Sequence, residues 1–305
     1  MSYLELYESG ELVRRIKAAY ARLNSCDICP HACGVNRLAG EVGLCGSGRS
    51  PRIASAAIHR GEEPPISGSR GSGTIFLSGC TLNCRFCQNF PISQLRNGTD
   101  LSTGQLADKM LGLQKKGAHN VNFVTPSHFT PQILAALYLA IRKGFRLPIV
   151  WNTSGYERLD TLRLLDGVVD IYLPDMKYAD EEQAKLLSNA PGYRDANRQA
   201  VAEMLRQVGQ LSCDENGIGV KGVIIRHLVL PEGRAGSAET LAYIAEHFGA
   251  ETHIALMSQY FPAHIASKTP GIGRRVTAEE YAEAVEALEE NGLENGWVQD
   301  EPPEN

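Results

Sequence analysis

The sequence predicts an α/β fold: a parallel sheet with helical crossovers, preceded by a cysteine-rich N-terminal extension. Three observations carry this. From Thr74 onward, short apolar runs alternate with amphipathic stretches. Polar residues collect where those runs end, at Asn152 and Ser154, at Asp175 and Lys177, and at Gln259 and Tyr260. Parallel sheets and barrels build their sites at such strand ends. Before residue 71 the pattern differs, with four cysteines, many glycines and little periodicity.

The strand runs are TIFLSG (74–79), NVNFVT (120–125), PIVWNTS (148–154), VDIYLPDM (169–176), GVIIRHLVL (222–230) and THIALMSQY (252–260). Helices fall between them. Ser102 with Gln105, Asp180 with Gln183 and Thr277 with Glu280 mark helix starts by the capping-box pattern. Thr130 followed by Pro131 reads as N-cap and first helical residue. In the last helix Tyr281, Val285 and Leu288 share a face, and Gly292 stops it. Upstream, residues 11–23 place Leu12, Ile16, Ala19, Tyr20 and Leu23 on one helical face. The stretch from Arg52 is strand-like at first and then irregular. The expected organisation is an N-terminal helix and cysteine-rich extension over 1–70, the sheet domain over 71–275, and a C-terminal helix and tail over 276–305. The tail QDEPPEN reads as disordered.

Composition excludes several classes. With 305 residues the chain can bury a large core, and 43% hydrophobic and 21% charged residues are ordinary for a globular protein. A net charge of −5 offers no broad basic field for nucleic acid. No apolar run reaches the ~18 residues of a membrane span. The start MSYLELYESGELVRRIK lacks an apolar secretory segment, so the expected location is the cytoplasm. In that reducing compartment clustered cysteines read as metal ligands before disulfides. No G-x-G-x-x-G follows the first strand, and no G-x-x-x-x-G-K-[ST] is present, which argues against dinucleotide and P-loop folds. Periodicity alone does not separate an open sheet from a barrel.

The stretch GCTLNCRFCQN puts Cys80, Cys84 and Cys87 into the loop after the first sheet-domain strand. Three thiolates on a [4Fe–4S] cluster leave one iron without a protein ligand, and that iron is open to a substrate or cofactor. The other reading is zinc with a distant fourth ligand, although zinc motifs favour C-x2-C pairs. Cys26, Cys29, Cys33 and Cys45 form a second set, C-x2-C-x3-C-x11-C, with Gly34, Gly40, Gly43 and Gly46 among them. Four thiolates suit zinc or an iron–sulfur cluster, and His31 is a competing ligand. Cys213 stands alone and reads as an ordinary thiol.

The spacing C-x3-C-x-aromatic-C, with Phe86 as the aromatic, resembles the signature of the radical S-adenosylmethionine superfamily. Within it, GSGTIFLSGCTLNCRFCQN, WNTSGY, YLPDMKY and IIRHLVLPEG resemble the pyruvate formate-lyase activating enzymes, and in particular their PflX-type branch. The resemblance implies a partial (β/α)6 TIM-like barrel, with a [4Fe–4S] cluster on Cys80, Cys84 and Cys87 and S-adenosyl-L-methionine on the open iron. It implies an oxidoreductase that cleaves this cofactor reductively and uses the 5′-deoxyadenosyl radical to take hydrogen from a substrate. It makes Asp175 and Lys177 candidate contacts to the methionyl group, and Asn152 and Ser154 candidate contacts near the ribose. Arg226 is expected to face the barrel interior, and His128 lies at the barrel mouth. Thr125 and Ser127 stand where the activases carry a G-G-E motif that holds the cofactor's amino group, so the resemblance makes them, with Arg226, further candidate cofactor contacts. Two further departures are SGSRGSG in place of a D-G-P-G-I-R stretch, and Gln259 and Tyr260 in place of a histidine. No catalytic side chain beyond the cluster ligands is expected. The implied partners are an electron donor such as flavodoxin or ferredoxin and a substrate, either a glycine of a partner protein or a peptide or small metabolite. The rival class is a non-catalytic iron–sulfur or zinc protein serving electron transfer or assembly.

Overall fold

The structure is a computed structural model that describes residues 2–300. Eight strands lie side by side in chain order: β1 (Arg52–His59), β2 (Ser72–Leu77), β3 (Val121–Val124), β4 (Ile149–Thr153), β5 (Ile171–Pro174), β6 (Gly219–Leu228), β7 (His253–Met257) and β8 (Gly296–Val298). β2 to β8 run parallel, β1 pairs antiparallel with β2, and the short strand Thr99–Asp100 pairs antiparallel on the outer side of β1. The main helices are α1 (Tyr3–Glu8), α2 (Glu11–Ala21), α3 (Thr103–Lys115), α4 (Thr130–Arg142), α5 (Glu181–Ser188), α6 (Tyr193–Val208), α7 (Ser237–Phe248) and α8 (Ala278–Glu290). This is an α/β fold with a mostly parallel sheet, consistent with a partial barrel. All six strands read from the sequence are present.

Strand periodicity divides each β-strand into two faces. One face of β4 to β7 presents Ile149, Trp151, Tyr172, Val223, Ile225, Ile254 and Leu256 to the helices, within the largest core cluster. The other face presents Val150, Ile171, Leu173, Ile224 and Ala255 to the barrel interior, where Ile66 joins them from the short helix Pro64–Ser67. These interior rows then change character: Val150 is followed by Asn152, Leu173 by Asp175, and Ile224 by Arg226. The bottom of the barrel is therefore filled with apolar side chains, and its C-terminal mouth is polar.

α4 is buried around most of its circumference and packs against both α2 and α3. Leu12 and Ala19 of α2 join the same core, and the Tyr3 hydroxyl donates to the Leu147 carbonyl at 3.0 Å. The segment read as an extension is thus tied to the sheet domain by α1, α2 and β1.

The caps at Ser102, Asp180 and Thr277 form as expected. Three details differ. Thr130 is the first residue of α4 rather than its N-cap, and its hydroxyl donates to the Ser127 carbonyl at 2.8 Å. β8, three residues long, is too short to show a period in the sequence. Of the tail, Gln299 and Asp300 are held in place: Gln299 N–H donates to Leu256 and Ser258 Oγ donates to Asp300. Residues 301–305 lie outside the described residues. Among the described residues no helix is long and apolar enough to cross a membrane.

Asp170 accepts the Ile149 N–H at 2.8 Å where β4 begins, and burial pushes its carboxyl up to about 6. The folded chain therefore holds this proton more tightly than the unfolded chain. The stability contribution is full below about pH 4 and is lost as the pH rises through about 6. Asp170→Asn keeps an acceptor but cannot ionise. Between pH 4 and pH 7 the native chain should lose roughly 2 kcal/mol relative to this variant in urea unfolding. A difference that stays constant with pH would contradict the shift.

Candidate active site

The mouth of the barrel is a cleft lined by Cys80, Cys84 and Cys87 on one side and by Asn152, Ser154, Asp175, Lys177 and Arg226 on the other, with Thr125 between. The cysteine loop is fixed from several directions. Gly79 N–H donates to Ile92 at 2.9 Å, and Asn83 and Arg85 N–H donate to Ser188 and Leu187, each at 2.8 Å. Phe86 is buried and meets Tyr260 edge-on, with ring centroids 5.7 Å apart. Each thiol has a polar neighbour. Leu82 N–H points to Cys80 at 3.3 Å, Ser188 Oγ donates to Cys84 at 3.0 Å, and Ser93 Oγ lies 3.1 Å from Cys87. Burial pushes the Cys80 thiol up, and the Cys84 thiol up to about 11, while the nearby Lys177 ammonium opposes both shifts. Metal loading must therefore displace protons from these thiols.

Opposite the loop, Asp175 sits between two cations. Its Oδ1 accepts from Arg226 Nε and Nη2 at 2.9 and 2.8 Å, and its Oδ2 accepts from Lys177 Nζ at 2.6 Å. Burial works against its charge, but Arg226 and Lys177 outweigh it and hold the carboxyl below its ordinary value. Burial likewise opposes charge on Lys177, and Asp175 and Cys84 overcome it. Arg226 Nη1 also lies 3.9 Å from Glu63 Oε1, so an ionic chain runs from the barrel floor to its mouth. The Asn152 side chain lines the cleft without a hydrogen bond among the described residues. Thr125 has φ +57, an unusual conformation for a β-branched residue, and its N–H donates to the Asn152 carbonyl at 2.8 Å.

The strand alternation that brings Arg226 into the cleft sends His227 the other way. His227 is buried against the Met176 carbonyl and Ser237 Oγ. Ser127 does not reach the cleft. It is buried, and its hydroxyl donates to Glu157 Oε1 at 2.5 Å, because the chain turns away after Thr125. His128 is also buried, with Nε2 3.0 Å from the Ser78 carbonyl, and burial lowers its pKa to about 3. Tyr260 donates to the Ile272 carbonyl at 2.5 Å, whereas Gln259 lines the cleft.

Sequence reading missed the supports. Tyr193 of α6 donates to the Ser154 carbonyl at 2.8 Å and accepts the Lys177 N–H at 3.0 Å, and Asn197 donates to the Asp175 carbonyl at 2.9 Å. One helical turn apart, these two residues pin both strand ends. Gly155, with φ +71, leaves the space they need: a Cβ there would lie 2.1 Å from Asn197 Nδ2.

The second cysteine set lies beside the first. Cys26, Cys29 and Cys45 are buried and Cys33 is half-buried, and burial pushes Cys29 up to about 12. A Cβ on Gly43 would stand 2.8 Å from Cys33 Sγ, so glycine is needed there. The buried Arg37 staples this segment to the barrel, donating to Gly48 at 2.8 Å and to His128 at 2.7 Å. His31, the competing ligand of the sequence reading, instead turns Nε2 to the Thr81 carbonyl at 2.8 Å. A Cβ on Gly79 would meet the Cys45 carbonyl at 2.6 Å, so the two cysteine segments are in contact. Among the described residues no three His, Cys, Asp or Glu side chains are gathered tightly enough to hold a single metal ion. Cys80, Cys84 and Cys87 line one cleft, and three thiolates are the protein donor set that a [4Fe–4S] cluster with one open iron would need.

The family model for the radical SAM superfamily matches residues 74–233, the span that carries the cysteine loop and the facing strand ends. This chain belongs to the radical SAM superfamily. Its membership implies an enzyme with a [4Fe–4S] cluster and S-adenosyl-L-methionine. An uncharacterized protein of Methanocaldococcus jannaschii, MJ0674, is 31% identical over 95% of this chain and 82% of that protein. Among solved structures, the FeFe-hydrogenase maturase HydG from Carboxydothermus hydrogenoformans is 16% identical, with TM-score 0.49, covering 77% of this chain and 55% of that one. A radical SAM methyltransferase from Sphaerobacter thermophilus is likewise 16% identical, with TM-score 0.49, covering 74% and 66%. The chain spans about half the length of HydG, and likeness at this level carries nothing about substrate.

Proposed function

We propose that this radical SAM enzyme is of the activating-enzyme type, PflX-like, and takes a hydrogen atom from a glycine of a partner protein. Cys80, Cys84 and Cys87 would hold the cluster, with S-adenosyl-L-methionine against Asn152, Ser154, Asp175, Lys177 and Arg226. A reduced cluster with this cofactor bound there would supply a 5′-deoxyadenosyl radical. The protein's part is placement. Lys177 retains donors beyond its bond to Asp175 and can receive a carboxylate, and Asp175 can receive an ammonium. The apolar barrel floor below them excludes water. The observation that carries the reading is the Lys177–Asp175–Arg226 array facing three thiols across one cleft.

A peptide or small metabolite is the second substrate class, favoured by Thr125 standing where the activases carry G-G-E. The test combines reduced, cluster-loaded protein and S-adenosyl-L-methionine with a glycyl radical enzyme. The reading expects a glycine-centred radical in the paramagnetic resonance spectrum of the partner. Cofactor cleavage without that radical, and with a modified peptide or metabolite, moves the assignment to the second class.

Cys26, Cys29, Cys33 and Cys45 are proposed to hold a second metal group. Four thiolates suit either an iron–sulfur cluster or a zinc ion. Protein lacking Cys80, Cys84 and Cys87 should retain iron and sulfide after anaerobic reconstitution, and a further Cys29→Ala should remove them. Zinc in place of iron would assign a structural clip. The thiols require a reducing compartment, so the proposed location is the cytoplasm.

A further inference from the structure

Glu157 lies in the loop after β4 and is 2% exposed. Its three hydrogen-bond partners are all neutral. The Ser127 hydroxyl donates to Oε1 at 2.5 Å, the Thr153 hydroxyl at 2.6 Å and the Trp151 indole N–H at 3.3 Å. Oε2 is buried with no hydrogen-bond partner among the described residues. Burying a carboxyl without a cation is costly, so its place in the fold calls for a reason. Burial pushes this carboxyl up toward the neutral acid, whose shape glutamine copies. The three donors come from two segments that wall the cleft. Ser127 follows the left-handed turn at Thr125, and Trp151 and Thr153 lie on β4. Alternation along β4 turns Trp151 and Thr153 to Glu157 and leaves Asn152 between them facing the cleft. Thr153 Oγ1 also accepts the Gly155 N–H at 3.2 Å, closing the turn that carries Ser154. Glu157 thus grips the backs of two segments whose fronts present Thr125, Asn152 and Ser154.

We infer that Glu157 is a positioning residue: through Ser127 and Thr153 it holds Thr125, Asn152 and Ser154 at the spacing that receives S-adenosyl-L-methionine. The inference rests on the cofactor placement proposed above. Glu157 itself does not line the cleft. It acts through one acceptor oxygen, shared by both segments, and its charge plays no part. Small displacements of such groups are costly, because binding needs all of them in register.

The test compares three variants. Glu157→Gln keeps an acceptor for all three donors. Glu157→Leu removes it and leaves them unpaired. Thr153→Val is the milder probe, removing one hydroxyl at nearly constant volume. Binding of S-adenosyl-L-methionine to cluster-loaded protein is measured by equilibrium dialysis, and its cleavage under dithionite is followed against cofactor concentration. Amide hydrogen exchange is measured on the metal-free protein. Thr153→Val and Glu157→Leu should bind the cofactor about tenfold more weakly, the equivalent of one hydrogen bond, with KM rising more than kcat falls. Their exchange should quicken at 125–127 and 152–155 and stay native in β6 and β7. Glu157→Gln should restore native binding and exchange. Variants that lose thermal stability yet bind the cofactor like the native protein would make Glu157 a core residue only and overturn the inference. Glu157→Gln failing as fully as Glu157→Leu would overturn it too, since charge would then matter. A native protein that neither binds nor cleaves the cofactor would overturn the proposed chemistry instead, and exchange in the metal-free protein would still decide whether Glu157 holds the two segments.

Discussion

Cys84→Ala should abolish S-adenosyl-L-methionine cleavage while leaving the fold intact. Cys84 lies in the middle of the three-thiol loop, and apart from Cys87, itself one of the three, its neighbours Lys177, Ser188 and Asp175 carry no thiol. Losing one of three ligands should release the cluster, and activity should fall to background. The stability cost is small by comparison. Ser188 keeps its 2.6 Å hydrogen bond with Tyr178, so no buried hydroxyl is orphaned. The loop remains anchored through Asn83, Arg85 and Phe86. The expected thermal unfolding change for the metal-free protein is about 1 kcal/mol or less. Iron content, visible absorption and unfolding measured on one preparation separate lost chemistry from lost structure. Cleavage persisting in this variant would show that the cluster is held elsewhere.

Asp175→Ala should have the largest effect on stability. Removing the carboxylate leaves Lys177 and Arg226 as buried cations facing each other, with only Glu63, 3.9 Å from Arg226, left as an ionic partner in this array. Breaking a buried ion pair in this way costs about 3–5 kcal/mol, far more than the pair's net worth. Cofactor affinity should fall as well if Asp175 receives the ammonium as proposed, because Lys177 also loses the carboxylate that positions it. In the native chain the carboxyl lies below its ordinary value, so its contribution is present above about pH 4 and lost as the pH falls through the lower folded value. The variant should lack that acid-side loss. Adding Arg226→Met should recover part of the stability, with a coupling of roughly 1–3 kcal/mol in a double-mutant cycle. Additive effects of the two substitutions would mean that the ionic chain seen in the structure is not energetically connected.

The sheet was legible because its signals are local. Apolar runs of strand length, capping pairs and the turn residues after α8 each depend on a few neighbours in sequence. The cleft is partly legible for the same reason: strand ends mark a barrel mouth, and alternation lets only one of Arg226 and His227 face the interior, the family resemblance favouring Arg226. What the sequence could not show depends on contacts between distant segments. Ser127 sits two residues past Thr125 and was paired with it by position, but the left-handed turn at Thr125 sends it to Glu157. Tyr193 and Asn197 lie on a helix face like any other until the structure places them under Asp175. Nothing in the sequence singles out Arg37, yet it is buried and joins the upstream cysteines to His128. No periodicity encodes the contact between Cys45 and Gly79, which sets the two cysteine segments side by side.

The central claim is that three thiols and a facing acid–base array make one radical SAM site. Its most direct test is to load the protein with iron and sulfide under anaerobic conditions, reduce it with dithionite, add S-adenosyl-L-methionine, and measure 5′-deoxyadenosine by chromatography. The native chain should form 5′-deoxyadenosine, and Cys84→Ala should form none. A fully loaded native protein that yields none with any of several low-potential reductants would contradict the account.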